Sequence, residues 1–165
     1  MTQNNKKSAS DKPRGQTPVK LVCENRKARF DYQLSENIEA GLVLTGSEVK
    51  SLRAGKANLT DAYAEIRGDE AFLLQAHIEP YDKGGYANHE PKRRRKLLMH
   101  HAEISRLVGK TQIRGMTLVP LKIYFKNGRA KVELALGVGK KHHDKRADIK
   151  QREVNREMSR VMKRK

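Results

Sequence analysis

Residues 117–138 read TLVPLKIYFKNGRAKVELALGV. Two apolar runs, Thr117 to Phe125 and Ala130 to Val138, flank Lys126-Asn127-Gly128-Arg129. Asn-Gly accepts the positive φ angles of a type I′ turn, whose twist matches that of paired strands, so the segment predicts a β-hairpin. Its strands set the expectation for the rest of the chain.

Working outward, Ala28, Phe30, Tyr32 and Leu34 alternate with polar neighbours, as do Ala62, Ala64 and Ile66 before a turn at Arg67-Gly68-Asp69. This period of two marks half-buried strands. The dense apolar run Ala71 to Ile78 pairs with the second of these as another hairpin, and Leu42-Val43-Leu44 brings the total to about six strands. Two helices interrupt them. Thr45-Gly46-Ser47-Glu48 is a capping box in which Thr45 and Glu48 satisfy each other's backbone donors. That helix ends by Gly55 and buries Val49 and Leu52. The second runs from about His100 to Val108, with Ile104, Leu107 and Val108 on one face and Gly109 as its stop. Many short antiparallel strands with few helices predict a mainly β fold, a small closed barrel that hides its strand edges.

A chain of 165 residues suits one domain with appended segments. Lys and Arg number 36 against 19 Asp and Glu, a formal charge of +17 that calls for a polyanionic partner. Nucleic acid leads, with a membrane surface second. There is no run of eighteen apolar residues and no hydrophobic stretch near the N-terminus to act as a signal peptide, so the expected location is cytoplasmic. Cys23 stands alone, which excludes an intramolecular disulfide and a cysteine-based zinc site. Residues 1 to about 20 hold almost nothing to bury and are expected to be disordered until a partner orders them.

Enzyme-like motifs are incomplete. Ser47-Glu48-Val49-Lys50 matches S-x-x-K, but S-D-N and K-T-G are absent, and a capped helix start explains it. Gly109-Lys110-Thr111 imitates the end of a P-loop, yet Ile104 stands where glycine is needed. The pairs His100-His101 and His142-His143 point about 100° apart on a helix and cannot readily chelate one ion. No metal and no cofactor are expected.

The basic residues carry more. Lys92-Arg93-Arg94-Arg95-Lys96 reads as a phosphate-contacting loop, Lys50, Arg53 and Lys56 as a second cluster, and Asn25-Arg26-Lys27-Ala28-Arg29 as a third beside Phe30 and Tyr32. Aromatic residues are only 5%, too few to stack a long single strand, so the shape of a structured RNA is the better target.

The stretches NRKARFDY (25–32), EAGLVLTGSEVKSLRAGKANL (39–59), RKLL (95–98) and GKKHHDKR (139–146) together resemble the SsrA-binding protein family, also called small protein B. The likeness runs from Leu21 to about Arg152. It implies an oligonucleotide-binding-type barrel that grips the tRNA-like part of transfer-messenger RNA and accompanies it to the A site of a stalled ribosome in trans-translation. Elongation factor Tu, carrying the alanyl-charged RNA, is then an indirect partner. Position by position, the resemblance implies RNA-binding roles for Asn25, Glu39 and Leu98, with Lys27 and nearby cations as phosphate contacts. Glu39 leaves three readings open: acceptance from a base or ribose donor, orientation of a neighbouring Arg, or an ion pair of the fold. Leu98 leaves two, direct contact or core packing.

The resemblance further implies a tail that enters the mRNA channel near the small-subunit decoding centre. It involves Lys140, Lys141, His143, Asp144, Lys145, Arg146, Lys150 and Arg152. Where some members carry an aromatic residue this chain has Val154. Read as a helix, the tail places Arg152, Arg156, Arg160 and Arg164 in one row and Val154, Met158 and Met162 on the opposite side. Three apolar residues are too few to hold it against a domain, so it is expected to be unfolded when free and helical when bound. The expected division is 1–20, a disordered basic segment; 21–139, the RNA-binding barrel; and 140–165, the tail. Two rivals stand beside this reading: a general ribosomal or chromosome-coating protein, and an acyl-serine enzyme using Ser47 and Lys50.

Overall fold

The computed structural model describes residues 19–113 and 115–162. The first seven elements are strand β1 (Val19–Glu24), helix α1 (Ala28–Asp31), β2 (Tyr32–Leu42), α2 (Gly46–Arg53), β3 (Ala57–Asn58), β4 (Tyr63–Arg67) and β5 (Glu70–Leu74). There follow β6 (His77–Ile78), β7 (Arg95–Leu98), α3 (His101–Thr111), β8 (Met116–Lys126), β9 (Arg129–Gly139) and α4 (His142–Met162). The disorder expected of residues 1 to 20 falls, up to residue 18, outside the described residues.

The Asn-Gly hairpin is β8–β9. Lys126 pairs with Arg129 across the turn, and Asn127 and Gly128 take φ of 52° and 74°, the geometry that Asn-Gly tolerates. From this hairpin the pairing goes round: β8–β4–β5–β7–β2–β9 and back to β8, every pair antiparallel. The fold is mainly β, a ring of six strands, with β1 added on the outer side of β8 and β3–β6 as a separate short pair.

Alternation points one face of each strand inward. Ile38, Ala40, Leu42, Leu73, Leu97, Leu118, Ile123, Val132, Leu134 and Leu136 meet in one core, joined by Leu52 of α2 and Leu107 of α3. Burying each large aliphatic side chain is worth about 1.5–3 kcal/mol, so this cluster dominates the stability. A register shift between Pro120 and Lys122 reverses the alternation in β8. Val119 and Leu121 therefore join Ala28, Ala135, Tyr32 and Leu34 in a second, smaller cluster that seats α1.

Several elements differ from the sequence expectations. Ala28–Asp31 is a helical turn and not strand, because the Asn25 side chain accepts the Ala28 N–H at 3.1 Å and turns the chain before β2 begins. Leu42 ends the long β2 and does not start a strand of its own. The run Ala71 to Ile78 breaks at Gln75, whose φ is 56°, into β5 and β6. Gly109 does not stop α3: the Thr111 hydroxyl caps the carbonyls of Leu107 and Val108, and the left-handed residue comes later, at Gly115 with φ 88°. The capping box of α2 is present, with the Thr45 N–H donating to Glu48 Oε2 at 2.8 Å.

Candidate nucleic-acid interface

Asn25 follows β1 and is nearly buried. Its Nδ2 donates to the carbonyls of Leu59 at 3.0 Å and Pro120 at 3.4 Å, while its Oδ1 accepts from Ala28. One side chain thus ties α1 to two separate segments. Beside it, Lys27 is exposed and lies 3.9 Å from Asp31, and the two border a cleft with Thr60, Asp61 and Tyr63. Asn25 therefore sets the placement of Lys27 and presents little of its own surface.

Glu39 projects outward from β2. It accepts hydrogen bonds from the Tyr124 hydroxyl and the Lys131 ammonium, with Lys126 Nζ at 3.6 Å. The Lys131 and Tyr124 hydrogen bonds outweigh partial desolvation and hold the carboxyl at a pKa of about 2. Leu98, on β7, is 55% exposed although its neighbour Leu97 is in the core. Gly41 pairs with Leu98, and a Cβ there would lie 3.1 Å from the Leu98 Cβ, so the glycine leaves room for the leucine to lie flat on β2. Glu39, Gly41, Leu98, His100, Glu103 and Lys131 line one cleft. Glu39 and Leu98, far apart in sequence, are thus brought together by the fold.

The basic clusters divide. Arg95 has no exposed side-chain surface: its Nε donates to Glu48 Oε1 at 2.8 Å, and its other nitrogens donate to the carbonyls of Ala76, Arg93 and Pro91. The expectation of a phosphate-contacting loop does not suit Arg95, because it lies in β7 facing inward onto Glu48, which Arg93 reaches from the segment just before the strand. Lys96 faces out and pairs with Glu70, and Arg94 lies over the Phe72 ring at 4.3 Å. Lys50 lies 5.1 Å from the centroid of the Tyr81 ring, and the Ser47 hydroxyl is 2.9 Å from His89 Nδ1. Lys56 binds Asp82 at 2.7 Å, and Arg53 is exposed, its carbonyl accepting from Lys20 at 3.2 Å.

The family model described as SmpB protein matches residues 22–164. The chain belongs to the SmpB, or SsrA-binding protein, family. It is 60% identical over 144 residues to the SsrA-binding protein of Desulforudis audaxviator (strain MP104C), covering 87% of this chain and 94% of that one. It is 56% identical over 154 residues to that of Syntrophobacter fumaroxidans (strain DSM 10017 / MPOB), covering 93% and 96%. Among solved structures, a chain from "tmRNA-SmpB: a journey to the center of the bacterial ribosome" superposes with a TM-score of 0.63 at 54% identity, covering 73% of this chain and 85% of that one.

The segment that carries the SmpB tail motif is helical here. Lys140 leads into α4, its N–H donating to the Asp31 carbonyl at 2.8 Å and its Nζ to the Arg29 carbonyl at 3.1 Å. The Lys141 N–H donates to Asp144 Oδ2 at 3.2 Å. Lys145 pairs with Asp31 at 2.8 Å, and Lys145 and Arg152, two turns apart, each lie 5.6 Å from the Phe30 ring centroid. His143 is on the same helix, and Arg146 and Lys150 are exposed. Val154, Met158 and Met162 are exposed as well. Sequence reasoning missed Lys122, Tyr124, Lys126, Lys131 and Glu133 around Glu39. Their signal was available, since Lys122, Tyr124 and Lys126, then Lys131 and Glu133, recur with period two along the hairpin.

Proposed function

We propose that this SmpB-family chain is an RNA-binding adaptor of trans-translation with no catalysis of its own. The ring of strands acts as an oligonucleotide-binding-type barrel, residues 21–139, that binds the tRNA-like domain of transfer-messenger RNA. It delivers that RNA to the A site of a stalled ribosome, allowing rescue and tagging of the nascent chain. The tail, residues 140–165, tests whether the mRNA channel beyond the decoding centre is empty. The work is cytoplasmic, and elongation factor Tu is met indirectly through the alanyl-charged RNA.

The observation that carries this reading is the meeting of Glu39 and Leu98 in one cleft that Lys131 lines, with Lys126 close to Glu39. An exposed leucine beside cations offers a base or ribose an apolar surface and a phosphate its counter-charge. The contacts implied for Asn25 are indirect, through Lys27; Lys50, Arg53, Lys56 and Lys96 supply peripheral charge. From Lys140 on, 11 Lys and Arg outweigh 4 Asp and Glu, which an RNA-lined channel offsets. Phe30 and Asp31 give the helix a narrow seat on the domain, so channel binding supplies most of its stability.

Competition between the tRNA-like RNA and an unrelated duplex of equal length tests this reading. Clear preference for the former is expected; equal binding would favour a general ribosomal or chromosome-coating protein. Truncation after Lys140, assayed separately for RNA binding and for tagging, is expected to leave binding and abolish tagging.

A further inference from the structure

β2, β9 and β8 lie side by side, and their outward side chains make a ladder of charge. Glu39 stands directly opposite Glu133, a like-charge pairing that is unfavourable unless cations intervene. They do. Lys122 stands opposite Glu133 with its Nζ 2.7 Å from the carboxylate, and Asn37 also donates to Glu133 at 3.0 Å. At Glu39 one oxygen accepts from Lys131, and the other takes Tyr124, with Lys126 close by. Tyr124 itself is buried and fixed, standing opposite Lys131.

Both carboxylate oxygens of Glu39 thus already accept from protein donors, which fixes the carboxylate among its lysines and takes about two of its roughly four lone-pair sites. The lysines are not saturated: each ammonium carries three N–H donors, and the side chains of Lys122, Lys126 and Lys131 are 39%, 39% and 28% exposed. Glu39 also forms the wall between two grooves. One holds Leu98 and Lys131; the other holds Lys122, Tyr124 and Lys126.

We propose that Glu39 is a positioning residue and not an RNA contact: it gathers Lys126 and Lys131, beside Lys122 held by Glu133, into a cationic comb that docks RNA phosphates along the edge of the Leu98 cleft. This rests on the RNA-adaptor reading and adds the ligand class and the contacting atoms to it. Without the carboxylate the ammonium groups repel one another and turn to solvent.

The sign of one substitution separates this from a bare repelling charge, and its salt slope, which loss of a direct RNA contact would leave unchanged, separates it from the other rival. Were Glu39 only a negative charge near RNA, Glu39→Gln would strengthen binding; as a positioning group its loss weakens it. The experiment titrates full-length protein with the tRNA-like domain of transfer-messenger RNA across a salt series, for wild type, Glu39→Gln, Lys131→Met and the double variant. Glu39→Gln is expected to lower affinity about tenfold and to flatten the dependence of log K on log salt by roughly 0.7–0.9 for each phosphate that is no longer neutralised. The double variant is expected to bind within about twofold of the weaker single, since the ammonium that Lys131→Met removes is one of the two that Glu39 gathers. Lys122→Met, which leaves Glu39 untouched, should flatten the slope as well. Thermal unfolding of each variant checks that the ring is intact. Unchanged or tighter binding by Glu39→Gln with an unchanged slope overturns the proposal, as does full multiplication of the two single losses. Absence of preference in the wild type for this RNA over an unrelated duplex overturns the adaptor reading itself, and with it the proposal.

Discussion

Arg95 and Glu48 form an ion pair in which neither side chain has exposed surface. Arg93 reaches the same carboxylate from the rim, donating to Glu48 Oε1 at 2.8 Å. The pair locks α2 to β7 and so fixes the connection between them.

Removing the shared carboxylate strands the guanidinium. Glu48→Leu is expected to cost about 3–5 kcal/mol by urea denaturation, through the buried Arg95 side chain left without a counter-charge, whereas replacing both residues by apolar ones of similar volume costs less. The acid limb carries a second signature. Burial pushes the Glu48 pKa up, but Arg93, the Thr45 N–H and Arg95 outweigh it and hold the carboxyl below its ordinary 4.5. A depressed folded-state pKa gives stability that is present above the unfolded value and lost as pH falls through the folded one. Wild type should therefore lose stability as pH drops below 4.5, and the apolar double variant should lose less.

Asn25→Ala removes two donors and one acceptor from a nearly buried site. Losing these three hydrogen bonds, with the Leu59 carbonyl left to the Ala62 N–H and the Ala28 N–H to the Asn25 carbonyl, is expected to cost about 2 kcal/mol, read from the urea midpoint. Asn25→Asp keeps the bond to Ala28 and loses the two donations, so it should not restore full stability.

Adjacent leucines on β7 should answer oppositely. Leu97→Ser opens the core and is expected to cost at least about 3 kcal/mol. Leu98→Ser, at an exposed position, should shift stability by no more than about 0.5 kcal/mol while lowering RNA affinity about tenfold. A matched loss of stability and affinity at Leu98 would instead mark it as packing.

The seat of α4 on Phe30 can be read by limited trypsin digestion. Cation–π contacts at exposed rings are worth about 0.5–1 kcal/mol each, so Phe30→Leu should speed cleavage after Lys145 and Arg152 severalfold. Cleavage within residues 21–139 should not change.

What was legible in the sequence was local. The Asn127-Gly128 turn and the Thr45-Glu48 cap each depend on residues a few positions apart, and both form as expected. The role of Arg95 was not legible, because its partner lies 47 residues away and the run KRRRK shows only charge. The period of two was nonetheless inside that run: Arg93 and Arg95 turn in, Arg94 and Lys96 turn out. Similarly, Glu39 on its own is a carboxylate in a basic chain. Its meaning comes from Tyr124 and Lys131, which only the pairing of β2 with β9 and β8 delivers. Ala28, Phe30, Tyr32 and Leu34 mimicked one strand because the Asn25 side chain, invisible to periodicity, had already turned the first of them into helix.

The ring also sets a schedule for synthesis. Ser35 on β2 donates to the Leu136 carbonyl on β9, which is made 101 residues later. At about 5–20 residues per second, the edge of β2 that β9 will cover waits roughly 5–20 s without its partner. An unpaired strand edge is a template for aggregation, and charged side chains along it are the usual protection. Glu36 and Glu39 both stand on that strand. The carboxylates that later gather lysines thus first guard a half-made protein against its neighbours.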